Sequence, residues 1–238
     1  MTNYATISFT DVPISSFVSH ILSKVRFTTL LILLLFAGCR FYTASAPMAQ
    51  YYYINPDKDL SAIGRTALVE LNNESAYPQI SADVTKALFQ ALQKKQVFGL
   101  TLVYQSDQQW RSLQLDLNPA SPPNVPPAFT LEQLIAIRKA LKCDAVLLGS
   151  VTEYQPFPHM TIGLRLKLID LNDGQLLWAL EQIWDTADKK TEYAIKNYFQ
   201  CQIRSGFAPL REQLANVSSI NFIKFVAYEV AETLKTDW

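Results

Sequence analysis

Apolar and polar residues follow two different periods along the chain, and these periods separate strands from helices. Strict alternation is typical of half-buried strands, and short unbroken apolar runs are typical of strands covered on both faces. The two patterns together predict six strands, at 66–71, 98–104, 113–117, 145–149, 162–168 and 176–180.

Apolar residues recur at helical spacing between and after these strands. Ser81 can cap the first helix, and Thr130 and Gln133 have the spacing of a capping box at the start of the second. The last helix is amphipathic, with one apolar stripe along its length. Helices are predicted at 81–92, 130–141, from 188 onward with an interruption near 205–209, and at 218–235.

The breaks between these elements decide the fold class. Five prolines within 118–127 cannot join a ladder or a helix interior, so this segment is predicted to be an exposed, stiff loop. Asn172-Asp173-Gly174 is a strong hairpin turn because glycine tolerates a positive φ. Helices between the early strands predict parallel pairing, and the late hairpin extends the sheet on one side. The sequence therefore predicts an α/β protein, a mixed-sheet α/β sandwich with a β-hairpin extension and C-terminal helices.

A short apolar run near the beginning of the chain ends in a cysteine. Lys24 and Arg26 precede the run, and Ala-Gly stands directly before Cys39. A charged flank, a short apolar segment and small residues at a cleavage site are typical of a signal peptide. A membrane-spanning helix needs roughly 20 apolar residues, and the run at 25–38 is too short. We therefore predict cleavage by a lipoprotein signal peptidase and lipidation of Cys39.

This interpretation divides the chain into three parts. Residues 1–38 are a lipoprotein signal peptide, 39–63 a lipidated tether, and 64–238 a single periplasmic α/β domain. The tyrosine cluster at 51–53 either docks on the domain or lies at the level of the lipid headgroups, and docking is favoured. The long stretch before the apolar run leaves the true start codon open.

The anchor predicts a location in the bacterial cell envelope. A diacyl or triacyl group, with palmitate as a typical chain, holds a protein on a membrane more firmly than one acyl chain does. Arg40 follows the cysteine, where aspartate would be the usual signal for retention in the inner membrane. The expected location is therefore the outer membrane, with the domain facing the periplasm.

Charge and composition limit the classes of partner that the protein is expected to bind. Residues 1–38 hold two of the 21 basic and one of the 21 acidic residues, so the predicted mature chain has a net charge near −1. This gives no electrostatic argument for nucleic acid. The expected partners are the membrane, through the anchor, and another envelope protein or a second copy of this chain. No small-molecule substrate and no cofactor is indicated.

Catalytic residues are hard to place, and no enzyme is predicted. His159 is the one histidine of the mature chain, and it is predicted to lie in an exposed turn between two strands. Glu153, Asp170 and Asp173 are expected to be solvated carboxylates beside turns. A metal site needs several convergent ligands, which one histidine and two distant cysteines do not supply. No G-x-x-x-x-G-K-[ST] loop is present, and the mature chain's six glycines are scattered, so a phosphate site is unsupported.

Two cysteines and a group of aromatic residues leave alternatives open. Cys143 and Cys201 either form one disulfide in an oxidising periplasm or remain two separate thiols, and a hydrolase using either thiol is the least favoured function. The aromatic residues are expected to lie in the core or to cover the sheet, with a partner-binding patch as the alternative. They are Trp110, Trp178, Trp184, Tyr193, Tyr198, Phe199 and Phe207.

Two runs resemble a known family. The run 143–154 contains Gly149-x-Val151-x-x-Tyr154, and the run 164–178 contains Asp170-x-x-Asp-Gly followed by Trp178. Over roughly residues 65–185 the chain resembles the curli production assembly/transport lipoproteins. Their relatives include lipoprotein activators of penicillin-binding proteins and flagellar-associated envelope lipoproteins. The motifs are strand patterns rather than a catalytic signature, so their specificity is moderate.

The chain departs from this family where a pore would be built. The resemblance implies long amphipathic hairpins that form an oligomeric outer-membrane channel, and a spanning strand needs about 9–11 residues. Only six residues, two of them proline, separate Tyr154 from Thr161. We therefore expect a non-enzymatic scaffold or adaptor that binds an envelope protein through a sheet edge or the loop 118–128. The alternative is a subunit of an oligomeric outer-membrane transport or secretion component.

Overall fold

The computed structural model describes residues 49–113, 129–202 and 218–234. The chain separates into two compact units, Met1–Ser45 and Ala46–Trp238, and every described residue belongs to the second. The described strands are β1 Tyr52–Ile54, β2 Arg65–Val69, β3 Asn72–Asn73, β4 Gly99–Val103, β5 Ala145–Gln155, β6 Thr161–Asp170 and β7 Leu176–Asp185. The described helices are α1 Ile80–Lys95, α2 Gln108–Arg111, α3 Leu131–Leu141, α4 Lys189–Gln202 and α5 Ser219–Glu232, with a 3-10 turn at Leu60–Ala62.

The strands form one mixed sheet in the order β1-β7-β6-β5-β2-β4, with β3 beside β5. β2 pairs in parallel with both β4 and β5, as the intervening helices predict. β5, β6, β7 and β1 are antiparallel neighbours. The predicted mixed α/β fold, with its hairpin extension and C-terminal helices, is confirmed.

Local sequence explains where α3 begins and where the chain turns between β6 and β7. Thr130 Oγ1 accepts a hydrogen bond from the Gln133 N–H at 3.3 Å, and Gln133 Oε1 accepts one from the Thr130 N–H at 2.9 Å. This is the predicted capping box at the start of α3. Gly174 lies in the β6–β7 turn with φ of +74°, a backbone conformation that side chains rarely tolerate.

Gly149, the glycine of the family-like motif, is required for a different reason. A Cβ on Gly149 would meet the carbonyl oxygen of Arg165 and would lie 2.6 Å from Leu166 Cδ2. The backbones of β5 and β6 therefore approach so closely at this point that a larger side chain does not fit. The motif marks a packing constraint inside the sheet.

One face of the sheet is covered by α1, α4 and α5. Trp178 Nε1 donates a hydrogen bond to Thr233 Oγ1 at 3.2 Å, just after α5. Lys95 of α1 forms an ion pair with Glu232 of α5, which ties the C-terminal ends of these two helices together. This side holds the larger core cluster, whose biggest fully buried side chains include Leu68, Leu147, Leu164, Trp178, Trp184, Phe222 and Phe225.

The other face is covered only in part. Over β2, β4 and the first half of β5 lie α2 and α3, which contribute Trp110, Leu134 and Ile137 to a second core cluster. Along 163–167, 179–183 and β1, the described residues place no helix, whereas Ile169 at the end of β6 belongs to the second core cluster. We call this uncovered area of the sheet the open face.

Residues 49–63 lie against the sheet. β1 pairs with β7, and the Asn55 N–H donates to the Leu177 carbonyl at 2.8 Å. The predicted docking of the tyrosine cluster is confirmed, and the division of the chain into signal peptide, tether and domain stays a prediction. A three-residue strand is too short to show a period, which is why the sequence did not reveal it.

Two further predictions fall at the borders of the described ranges. Leu113 lies in a turn after α2, and the rest of the strand predicted at 113–117 lies outside the described residues. The proline-rich segment 118–127 and the interruption near 205–209 lie outside them as well.

Candidate interaction surface

The open face is built from alternate residues of β6, β7 and β1. In a strand, successive side chains point to opposite faces, and directly paired residues share a face. Arg165 pairs in register with Glu181, Lys167 with Ala179, and Ala179 in turn with Tyr53. The side chains between them, such as Leu166 and Leu180, are buried against the helices. The open face therefore gathers the residues that the core does not use.

Arg165 organises the charges of this surface. Its Nη2 lies 3.0 Å and its Nε 3.2 Å from Glu181 Oε1, and its Nη1 lies 3.6 Å from Glu74 Oε1. Glu74 follows β3, so the guanidinium links three elements of the sheet. Two carboxylates hold one arginine in a defined direction, which gives the surface an ordered pattern of charge.

Lys167 lies on the same face, next to this network. Partial burial lowers the pKa of its ammonium group, and repulsion from Arg165 lowers it further, while Glu181 acts in the opposite direction.

Tyrosines border these charges at the edge of the sheet. Tyr51 is 69% exposed and Tyr53 is 46% exposed, so most of the first ring is in solvent. Together with Gln50 and the charged residues they line a shallow depression of about 340 Å³ on the open face. Its lining residues are Gln50, Tyr51, Tyr52, Tyr53, Arg165, Leu166, Lys167, Ala179, Leu180 and Glu181.

Lys58 fastens the β1 segment to the β6–β7 turn. Its Nζ lies 2.6 Å from Asp173 Oδ2 and 3.2 Å from Asp170 Oδ2. The hydrogen bond to Asp173, followed by that to Asp170, raises the pKa of Lys58. Burial acts to raise the pKa of Asp173, but hydrogen bonds from Lys58 and the Gln175 N–H outweigh it and lower that pKa. The two carboxylates predicted to be solvated are thus partners of a lysine that the sequence did not single out.

The buried cysteine is poorly suited to catalysis. Cys143 is free, and burial is the main cause that raises the pKa of its thiol to about 11. At neutral pH the nucleophilic thiolate is therefore scarce. Cys143 has no disulfide partner among the described side chains, and the backbone of Cys201 lies in α4, so the two alternatives for these cysteines stay open.

The other candidate residues from the sequence differ in their exposure. His159 is exposed in the turn between β5 and β6, as predicted, and Glu153 is exposed as well. Trp110, Trp178, Trp184 and Phe199 are buried, as expected of core residues, whereas Tyr193 is 67% exposed. Cys39, Phe207 and the loop 118–128 lie outside the described residues. The lipidation site therefore stays a prediction.

The described ranges contain neither a membrane-spanning helix nor a cluster of metal ligands. Within 49–113, 129–202 and 218–234, no helix is long and apolar enough to cross a membrane. In the same ranges, no three side chains of histidine, cysteine, aspartate or glutamate converge as metal ligands would.

Comparisons with known proteins give partial structural likenesses. No protein-family model and no curated protein matches the chain. A PelC dodecamer from Paraburkholderia phytofirmans is 15% identical, with a TM-score of 0.40, over 76% of this chain and 94% of that one. A lipoprotein from Neisseria meningitidis is 18% identical, with a TM-score of 0.38, over 51% of this chain and 82% of that one. The LpoB C-terminal domain from Salmonella enterica is 22% identical, with a TM-score of 0.34, over the same two shares.

At such identities and TM-scores the likeness carries no functional argument, since one fold hosts many functions. The more specific resemblance to curli transport lipoproteins stays a prediction.

Proposed function

We propose that this chain is a bacterial envelope lipoprotein, anchored through Cys39, that acts without catalysis as a scaffold or adaptor for another envelope protein. Its domain would face the periplasm from the outer membrane. The anchor is supported by the basic flank, the short apolar run and the Ala-Gly-Cys sequence at 37–39.

The observation that carries the binding role is the open face. It combines two exposed tyrosines with an arginine held between carboxylates, and tyrosine and arginine are enriched at the energetic centres of protein interfaces. Ordered charges favour one partner and one orientation over others. Among the described strands β1 is the last on its side of the sheet, and an extended segment of a partner can hydrogen-bond to the outer edge of such a strand.

The anchor is tested by fractionation of cells that produce the full chain. Cys39→Ala should move the protein from the membrane fraction to the soluble fraction, because the acylated residue is lost. Cys143→Ser is the matched control, since it changes a cysteine inside the domain and should leave the protein on the membrane. Retention of Cys39→Ala after an alkaline wash would refute the lipid anchor.

The partner is tested by purifying the native complex from envelopes in mild detergent and measuring its mass and composition. A second protein that is lost from the double variant Tyr53→Ala/Arg165→Glu, but kept by the exposed α1 variant Lys86→Glu, would support the adaptor. A ring that contains this chain alone would instead favour the transport component.

A further inference from the structure

The two ends of the sheet differ in the side chains they expose. The upper end carries the β5–β6 turn at 156–160 and the last residues of β7, and the lower end carries the β6–β7 turn at 171–175 and the segment 55–59. These ends lie about 33 Å apart, since β6 has ten residues and a strand rises about 3.3 Å per residue.

Large apolar side chains are exposed at the upper end. Phe157 is 80% exposed between two prolines, and Ile183, near the end of β7, is 54% exposed. Tyr77 is 44% exposed and packs edge-to-face on Tyr154, with ring centroids 5.1 Å apart. Tyr193, in the first two turns of α4, is 67% exposed. Single exposed apolar residues are ordinary, but several at one end of a domain mark an interaction site.

The lower end shows none of this. Its exposed residues include Asp57, Asp59, Asn172, Asp173 and Gln175, and no large apolar side chain is exposed within 55–59 or 171–175. These groups are polar or charged, so burial of this end in a membrane would cost free energy.

The described chain begins near the upper end. The Gln50 N–H donates to Gln182 Oε1 at 3.3 Å, and the Glu181 N–H donates to the Tyr51 carbonyl at 3.0 Å. β1 therefore runs away from the upper end, so the first described residues lie nearer to that end than Ile54 does. Only residues 40–48 separate the predicted anchor from Ala49, and nine residues span at most about 30 Å.

From these observations we propose that the upper end rests on the membrane, with Phe157 seated at the level of the lipid headgroups. The proposal rests on the anchor at Cys39 and adds a second contact to it. Aromatic side chains with an apolar body favour the interface between lipid and water, and Tyr77 and Tyr193 also have a polar tip that stays hydrated there.

The charges at this end indicate how the contact is made. The chain near this end carries both signs of charge, with Glu153, Asp185 and Asp188 against Lys189 and Lys190. Asp185 and Asp188 accept hydrogen bonds from the backbone N–H groups of residues 187, 190 and 191. Attraction to anionic lipids is therefore weak, and the contact depends on apolar burial. It should occur on a neutral phosphatidylcholine surface and change little with salt.

The test uses the full lipoprotein, extracted from envelopes and reconstituted into phosphatidylcholine vesicles brominated high on the acyl chains. Phe157→Trp places a reporter at the upper end, and Gln175→Trp places one at the exposed lower turn. Wild type supplies the background of the native tryptophans. We expect loss of Trp fluorescence in the Phe157 variant and an unchanged signal in the Gln175 variant.

Two other results would overturn the proposal in distinguishable ways. If both variants float with the vesicles and neither reporter is quenched, the anchor stands and the upper end serves some other partner, such as a protein. If neither variant floats, the anchor itself fails, and the membrane contact that rests on it fails too. Quenching of both reporters alike would mean that the domain has no preferred end toward the membrane.

Discussion

The two faces of the antiparallel half of the sheet are made by the same strands and have different uses. On the covered face, Leu166, Trp178 and Leu180 are buried against helices. On the open face, the alternate residues are charged or partly exposed, as Arg165 and Glu181 are. Burial of apolar area is the main stabilising term of a fold. Stability is therefore concentrated on the covered face, and the open face can be changed for binding at little cost in stability.

Removing the largest buried side chain of the covered face should have the greatest effect. Trp178→Ala should lower the free energy of unfolding by about 3–5 kcal/mol, because it leaves a cavity and deprives Thr233 of its indole donor. Denaturant unfolding measures the loss, and Trp178→Phe should recover much of it. A loss below about 1 kcal/mol would mean that the two faces do not differ as described.

The ion pair between α1 and α5 tests whether the covered face also depends on a buried charge. Glu232 is 3% exposed, so Glu232→Gln would leave Lys95 facing a neutral group and should cost about 3 kcal/mol. A double-mutant cycle with Lys95→Met isolates the coupling between the two side chains. If the free-energy changes of the two single variants add up to that of the double variant, the pair contributes nothing specific.

Gly174 tests the turn between β6 and β7, the two strands whose alternate residues form both faces. A Cβ at this residue would lie 2.9 Å from Leu134 Cδ1, and φ is +74°. Gly174→Val should therefore destabilise the protein by about 1–3 kcal/mol. Gly174→Asn should cost less, since asparagine tolerates a positive φ better than valine does. Equal melting temperatures for the two variants would count against strain in the turn.

A substitution on the open face should separate binding from stability. Arg165→Ala removes ion pairs that are partly in solvent, so it should change the free energy of unfolding by no more than about 1 kcal/mol. Copurification of the partner with the full chain should fall sharply at the same time. A large loss of stability with unchanged copurification would reverse the assignment of the two faces.

The smallest effect concerns the segment that borders the open face. Because the pKa of Asp173 is lowered in the folded protein, its contribution is present above the ordinary pKa of 3.8 and is lost as pH falls through the lowered value. The raised pKa of Lys58 means that its contribution is lost only as alkaline pH rises through that value. Amide exchange at Asn55, corrected for intrinsic rates, should accelerate in acid.

Lys58→Met is the control for this pH dependence. The variant lacks the cation. Its Asn55 amide should therefore already exchange faster at neutral pH, and the exchange rate should change less on acidification. Identical exchange profiles for the variant and the wild type would show that the lysine does not fasten the segment.

Strong local patterns predicted most of the core. The alternation at 162–168 and 176–180 became the centre of β6 and β7, and the Asn-Asp-Gly turn lies between them. The Thr130 capping box formed as predicted. Such signals depend on residues close together in sequence, and they survive because the tertiary packing agrees with them.

The parts that the sequence missed depend on distant residues. β1 is three residues long and gains its partner from β7, more than 120 residues away. Lys58 is an ordinary charged residue until the fold brings it to Asp170 and Asp173. The candidate surface was missed for the same reason, since its tyrosines and its arginine come from segments with unrelated patterns.

The sequence by itself determined the type and order of the main strands and helices and the fold class, because each depends on a local period or a short motif. Tertiary structure alone decided which part of the sheet the described helices leave uncovered, which end exposes Phe157 and where β1 joins the sheet. These are properties of the whole packing arrangement, in which residues far apart in sequence compete to cover the same apolar area.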